Sequence, residues 1–182
     1  MNGQSEQLKW TAIVLAAGRG STDPLAAHFD VSHKCLLPIG GIAMLKRVVT
    51  TLLESQHIGE VMISIEDRGL LPQALGEQAR QVRFTPSQSS ASQSAAAAVR
   101  EVGENYPILL TTADHALLDE QMLDHFISES DAGNSDLTVG LAAAETILKE
   151  YPDAKRTFLA FGHERVSGCN LYGLKTPKAL RA

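Results

Sequence analysis

Residues 12–24, Ala12 to Pro24, read AIVLAAGRGSTDP. An apolar run, WTAIVLAA from Trp10 to Ala17, stops in Gly18-Arg19-Gly20 and turns polar. The run fits a buried strand. Small residues behind a strand let the chain turn sharply and aim its amides into one concavity, and such amides bind phosphate oxygens. Arg19, between the glycines, can add a charge-assisted bond. A tight turn with no ligand accounts for the same residues. A P-loop needs Gly-Lys-Ser/Thr at its end, and GRGSTDPL has no lysine there. A dinucleotide fingerprint needs a third glycine where this chain has Asp23 and then Pro24, and no acidic residue marks a ribose-binding strand.

Outward from this stretch, strand-length apolar runs alternate with amphipathic segments of helix length. Ala43–Ser55 has helical spacing, with Met44, Val48 and Leu52 on one side beside Leu45 and Val49. Glu60–Glu66, Val82–Pro86, Tyr106–Asp114 and the segment SDLTVGLAAA read as further strands. Between them lie a short helix containing Pro72, an alanine-rich helix with a serine-rich entry, and a helix that opens on Asp119 and Glu120. RTFLAF and RVSGCNLYGL near the end read as a pair of strands with GHE at the turn. The strands lack clean alternation, as expected where both faces are covered. The expected fold is α/β, a three-layer α/β/α domain with a mostly parallel Rossmann-like sheet. Residues 1–182 form one domain on this reading. The closing TPKALRA reads as the first turns of a helix, so the natural chain is expected to continue.

The 182 residues carry a formal net charge of -5, with 44% apolar and 20% charged residues. Broad electrostatic binding to nucleic acid or to an anionic membrane is therefore not expected. A phosphate-bearing partner has to be caught locally. The polar start MNGQSEQLKW lacks the apolar core of a signal peptide, and no apolar run is long enough for a bilayer. Cys35 and Cys169 stand far apart and outside any C-x-x-C pair, which fits reduced thiols in the cytoplasm.

Behind the glycine loop follows SHKCLLPIGGIAML, Ser32–Leu45. The pair LAAGRG and HK-x-LLPIGG resembles the nucleotidyltransferases of the glycosyltransferase-A-like fold, most of all the enzymes similar to molybdenum-cofactor guanylyltransferase. The resemblance implies the nucleotide-diphospho-sugar transferase type of fold, with Leu15, Ala16, Ala17, Gly18 and Gly20 wrapping a nucleoside triphosphate. It implies that Arg19 holds phosphate oxygens and that Lys34 stands near the reacting centre. Many members carry an arginine two residues after the second glycine, where this chain has Thr22. His28, Asp30 and His33, between the loop and Lys34 or just before it, read as solvated loop residues.

LLTTADHALL sets Asp114 past the carboxyl end of a strand, the edge where open parallel sheets bind ligands. A carboxylate there suits Mg2+, which prefers hard oxygens and accompanies phosphates. It could equally cap the next turn. His115 beside it reads as a hydrogen-bonded neighbour. In TPSQSSASQSAAAAV, Ser90 or Ser92 could cap a helix, while Ser89, Ser92, Gln93 and Ser94 are candidates for reading a base or ribose, as the resemblance implies. Asn170 interrupts an apolar strand, and a buried amide must be bonded. The resemblance implies a second metal ligand on such a late strand beside a glycine, and Gly168-Cys169-Asn170 fits that pattern. Arg156 faces either an acceptor phosphate or solvent.

The expected function is Mg2+-dependent transfer of a nucleoside monophosphate from a nucleoside triphosphate to a phosphorylated small-molecule acceptor, releasing pyrophosphate. No nucleic acid or membrane partner is expected. The alternatives are a nucleotide-binding protein without transfer, which Thr22 keeps open, and a glycosyltransferase using a nucleotide-sugar, which the lack of a D-x-D triplet speaks against.

Overall fold

The structure is a computed structural model and describes residues 8–18 and 23–181. Its sheet has seven strands. Central β1 (Trp10–Leu15) is flanked by β4 (Ile58–Ile65) and β6 (Ile108–Thr112), both parallel to it. Beyond β4 lies parallel β5 (Arg83–Pro86). Beyond β6, β9 (Glu164–Leu174) runs antiparallel between β6 and β7 (Leu137–Ala143), and the short β8 (Leu159–Phe161) pairs with it. The expected three-layer, mostly parallel architecture is present, with one reversed strand near the edge.

Ala12, Ile13 and Val14 are fully buried because both faces of the sheet are covered. The pleat then sorts them. Ala12 and Val14 join one core with α2 (Met44–Glu54), α3 (Leu70–Leu75) and α5 (Glu120–Ala132), while Ile13 joins a second core with α4 (Ala91–Val102). The helical spacing read for 43–55 holds, since Met44, Leu45, Val48, Val49 and Leu52 of α2 are the buried face. Pro72 is the third residue of α3, where a missing amide costs the helix nothing.

Several short elements go beyond the expected ones. A two-stranded hairpin, β2 (Pro38–Ile39) and β3 (Ile42–Ala43), precedes α2, and Gly40 and Gly41 turn it with φ of 61° and 78°. The glycine pair thus closes a hairpin before the helix begins. α1 (Pro24–His28) starts on Asp23, whose carboxylate accepts from the amides of Leu25 and Ala26 at 2.9 and 3.2 Å. α6 (Ala144–Glu150) follows β7 directly. Pro177–Arg181 forms a 3-10 turn. Among the described residues no helix is long and apolar enough to cross a membrane.

After β5 the chain returns through α4 to β6 on the far side of β1. Strand order therefore switches at β1, and a crevice opens at the carboxyl ends of β1 and β6.

Candidate active site

Two cavities meet at that crevice, and Asp114 lines both. The first, about 550 Å³, lies between Leu15–Gly18, Lys34 and the start of α4, with Gln88, Ser89, Ser90 and Ser94 in its wall. The second, about 740 Å³, lies between the loop after β6, one face of α5 and the strands β7 and β9, with His115, Arg156 and Asn170 in its wall.

The glycine loop leaves β1 while two hydrogen bonds still tie it to the sheet. The Ala16 amide donates to the Ser64 carbonyl at 2.8 Å, and the Ala113 amide donates to the Leu15 carbonyl at 2.9 Å. Further along the loop, the Gly18 amide donates to both oxygens of Glu66, at 3.1 and 3.3 Å. A carboxylate thus already occupies a loop amide. Glu66 also contacts His33 Nε2 at 3.0 Å. Glu66 stands directly beyond β4, so an acidic residue does occupy the strand end beside the loop, contrary to the expectation from sequence. Its signal was its place at the end of an apolar run. Arg19, Gly20 and Thr22 lie outside the described residues.

Lys34 opens a 3-10 turn, Lys34–Leu36, anchored by buried Cys35 and Leu36. Its ammonium donates to Asp114 Oδ2 at 2.8 Å, and the Thr112 hydroxyl donates to Asp114 Oδ1 at 2.6 Å. Burial pushes the Asp114 carboxyl up, but the Lys34 and Thr112 bonds and the Lys34 charge outweigh it and hold the group below the usual aspartate range. Asp114 is therefore a carboxylate at neutral pH. Burial pushes His115 down, and the Arg156 charge adds to that against Asp114, so the ring favours its neutral form. Burial, helped by the Glu66 charge, pushes the Cys35 thiol up to about 11. Cys35 is thus a protonated thiol in the wall of the first cavity.

Asn170 takes a left-handed backbone, φ 54°, inside β9, opposite the register shift between Val139 and Leu141 of β7. Arg156 is held on the same strand, where it donates to Ser167 Oγ at 3.2 Å and to the Gly168 carbonyl at 3.0 Å. Among the described residues no group of three or more His, Cys, Asp or Glu side chains could hold a metal. One carboxylate and one amide oxygen in a shared wall remain.

At the serine-rich entry, Ser90 caps α4 by accepting from the Gln93 amide at 3.2 Å. Ser94 accepts from the Gln88 amide at 2.8 Å and donates to the Ser90 carbonyl at 2.9 Å. Ser89 and Ser94 reach the cavity that holds Lys34. Ser92 and Gln93 instead line a separate shallow depression with Arg100. They touch the cavity wall indirectly, through the Ser90–Ser92 and Ser89–Gln93 hydroxyl contacts.

The sequence pattern described as the MobA-like NTP transferase domain matches residues 12–151. Comparison with curated proteins yields no match. Among solved structures, a hypothetical transferase from Thermus thermophilus superposes with a TM-score of 0.72 at 22% identity, over 92% of this chain and 65% of its own length. CMP:2-keto-3-deoxy-manno-octonic acid synthetase in complex with CTP gives 0.68 at 14% identity, over 95% of this chain and 76% of that one. 4-Diphosphocytidyl-2C-methyl-D-erythritol synthase from Anaerococcus prevotii gives 0.64 at 12% identity, over 92% and 71%. At such identities the likeness speaks for the fold. The chain spans about two thirds of the length of the first of these structures.

Proposed function

The chain belongs to the MobA-like NTP transferase domain family, and on that premise we propose that it moves a nucleoside monophosphate from a nucleoside triphosphate to a phosphorylated small molecule, with Mg2+ as cofactor. The observation that carries this reading is the meeting of Lys34 and Asp114, 2.8 Å apart, where the two cavities join. A cation and a carboxylate at such a junction can act on a nucleotide from one side and an acceptor from the other.

The triphosphate lies in the first cavity, its phosphates on the Leu15–Gly18 backbone and on Arg19 and Gly20. The Gly18 amide, which now binds Glu66, then binds a phosphate oxygen instead. Ser89 and Ser94 face the ribose or base; Gln93 holds the Ser89 hydroxyl, and Ser92 contacts the capping Ser90. Lys34 turns from Asp114 to the phosphates and offsets the charge that grows on phosphorus oxygens. An acceptor phosphate oxygen forms a bond to the α-phosphorus. The bond from that phosphorus to the bridging oxygen breaks, and pyrophosphate leaves with the electron pair. A phosphate acceptor is already an oxyanion, so no general base is required.

Asp114 and Asn170 fit Mg2+. Asp114 stays ionised, Asn170 offers an amide oxygen in the same wall, and hard oxygens alone suit this ion beside phosphates. When bound, Mg2+ neutralises charge on the reacting phosphates. Asp114 and Lys34 contribute by neutralisation and positioning, which such transfers chiefly demand.

The test is pyrophosphate release from each nucleoside triphosphate with Mg2+ and a panel of phosphomonoesters. The parent chain releases pyrophosphate with at least one pair. Asp114→Asn abolishes release while its thermal unfolding still shows one cooperative transition. Equal Mg2+-dependent release by parent and variant would remove Asp114 from the reaction. Absence of triphosphate binding by the parent would remove transfer altogether.

A further inference from the structure

We propose that the acceptor is a phosphomonoester with an apolar body about 10 Å long, held in the second cavity, and not a sugar phosphate. This rests on the transferase reading and names its acceptor class. The argument starts from exposed apolar side chains. Leu117 is 76% exposed, Met122 47%, Leu141 45% and Val139 40%, and all four line this one cavity. A gathering of large apolar groups in the open marks a binding surface. Phe126 and Leu171 complete the apolar wall.

Apart from His125, midway along α5, the charged and polar groups stand at the two ends. Register places Leu141 beside Gly168, and Arg156 is bonded to Gly168 and Ser167. Asn170 and Asp114 belong to this same end, because β9 passes Thr111 at Leu171. Thr138 pairs with Gly173, deeper along the sheet, and Phe126 packs beside that glycine together with Trp10. Glu129 lies beyond Phe126 on α5. From Met122 to Glu129 the helix rises about 10 Å at 1.5 Å per residue. The cavity therefore offers a cation at the reacting end, an apolar stretch, and an exposed carboxylate at the far mouth. His125, also exposed, lies on the same face of α5.

Among the described residues Arg156 has no carboxylate within ion-pair distance; its bonds go to a hydroxyl and a carbonyl. Its charge is left for an anion, and that complementarity selects a phosphate end. A sugar ring would present hydroxyls to Leu117, Val139 and Leu141, which offer them no hydrogen bond, and each unbonded hydroxyl costs free energy. An alkyl or aryl body gains by covering the same surface.

The test is direct titration of the full chain with n-octyl phosphate, below its micellar concentration, and with glucose 1-phosphate. Octyl phosphate binds at least about tenfold tighter. Leu117→Gln with Leu141→Gln weakens octyl phosphate about tenfold and leaves glucose 1-phosphate unchanged, while Arg156→Ala weakens both. Equal or tighter binding of glucose 1-phosphate, or no effect of the leucine changes, overturns the proposal. Sedimentation of the parent and the double variant reads the other occupant: a parent dimer that becomes monomeric in the variant assigns the surface to a second copy and also overturns it. A Mg2+–triphosphate titration run alongside keeps the two readings apart. Its failure sinks the transferase reading, while the octyl phosphate titration still reports on the cavity.

Discussion

Glu66 holds the Gly18 amide with both carboxylate oxygens, and His33 backs it at 3.0 Å. A triphosphate that needs this amide must displace a charged competitor of its own sign. Removing the charge while keeping the size lowers that cost. Glu66→Gln is therefore expected to tighten triphosphate binding by about three- to tenfold, most strongly at low ionic strength where like charges repel furthest. Titration of parent and variant at two salt concentrations measures it. Weaker binding by the variant would mean that Glu66 contacts the nucleotide favourably, as a hydrogen-bond acceptor for the base or ribose.

At the scale of the element, β9 combines a task of the sheet with one of the site. Eleven residues long, it fills the gap between β6 and β7 and carries Asn170 in a left-handed conformation. Asparagine tolerates that region better than most residues, and glycine better still. Asn170→Gly should thus keep the strand and gain up to about 1 kcal/mol of stability from relieved backbone strain. The same change removes the amide oxygen. The expected result is an unchanged or higher melting temperature with a raised Mg2+ requirement for pyrophosphate release, and Asn170→Asp restores the lower requirement. If Asn170→Gly leaves the Mg2+ dependence untouched, the residue serves the bulge alone.

The whole molecule joins two cavities at one carboxylate, so the proposed nucleotide and acceptor sites sit on opposite sides of the switch between β1 and β6. A ligand that binds only the folded state stabilises it by mass action, about 2.7 kcal/mol at one hundred times its dissociation constant. For a chain of this size that raises the melting temperature by about 5–11 °C. The cognate triphosphate with Mg2+ is expected to give such a shift, and the free nucleoside a much smaller one, because on the proposed reading the loop grips the phosphates. Equal shifts from nucleoside and triphosphate would leave the glycine loop as a turn only.

Much of this was legible from sequence because burial periodicity is a local property. The apolar run at Trp10–Ala17, the stripe of α2 and the acidic start of α5 announced their elements, and the strand-end position of Asp114 announced a carboxylate at the crevice. α1 also had its signals, Asp23 as cap and Pro24 behind it, although the apolar stretch was too short to read as a helix. What periodicity cannot encode is which distant elements end up side by side. Lys34 meets Asp114 across 80 positions, and Glu66 reaches Gly18 across 48. Nor does it tell whether a late strand runs with the sheet or against it, and the reversal of β9 is what brings Arg156 and Asn170 to Asp114's cavity. At the entry to α4, the turn of the chain divides Ser89 and Ser94 from Ser92 and Gln93, and only the packing of the helix on β1 and β4 decides which pair faces the cavity that holds Lys34. Most of the elements and of the candidate chemistry could be read in advance, because both follow from side chains and their near neighbours. Tertiary structure alone decided the partners, because strand order and direction are settled by burying the two faces of the whole sheet at once.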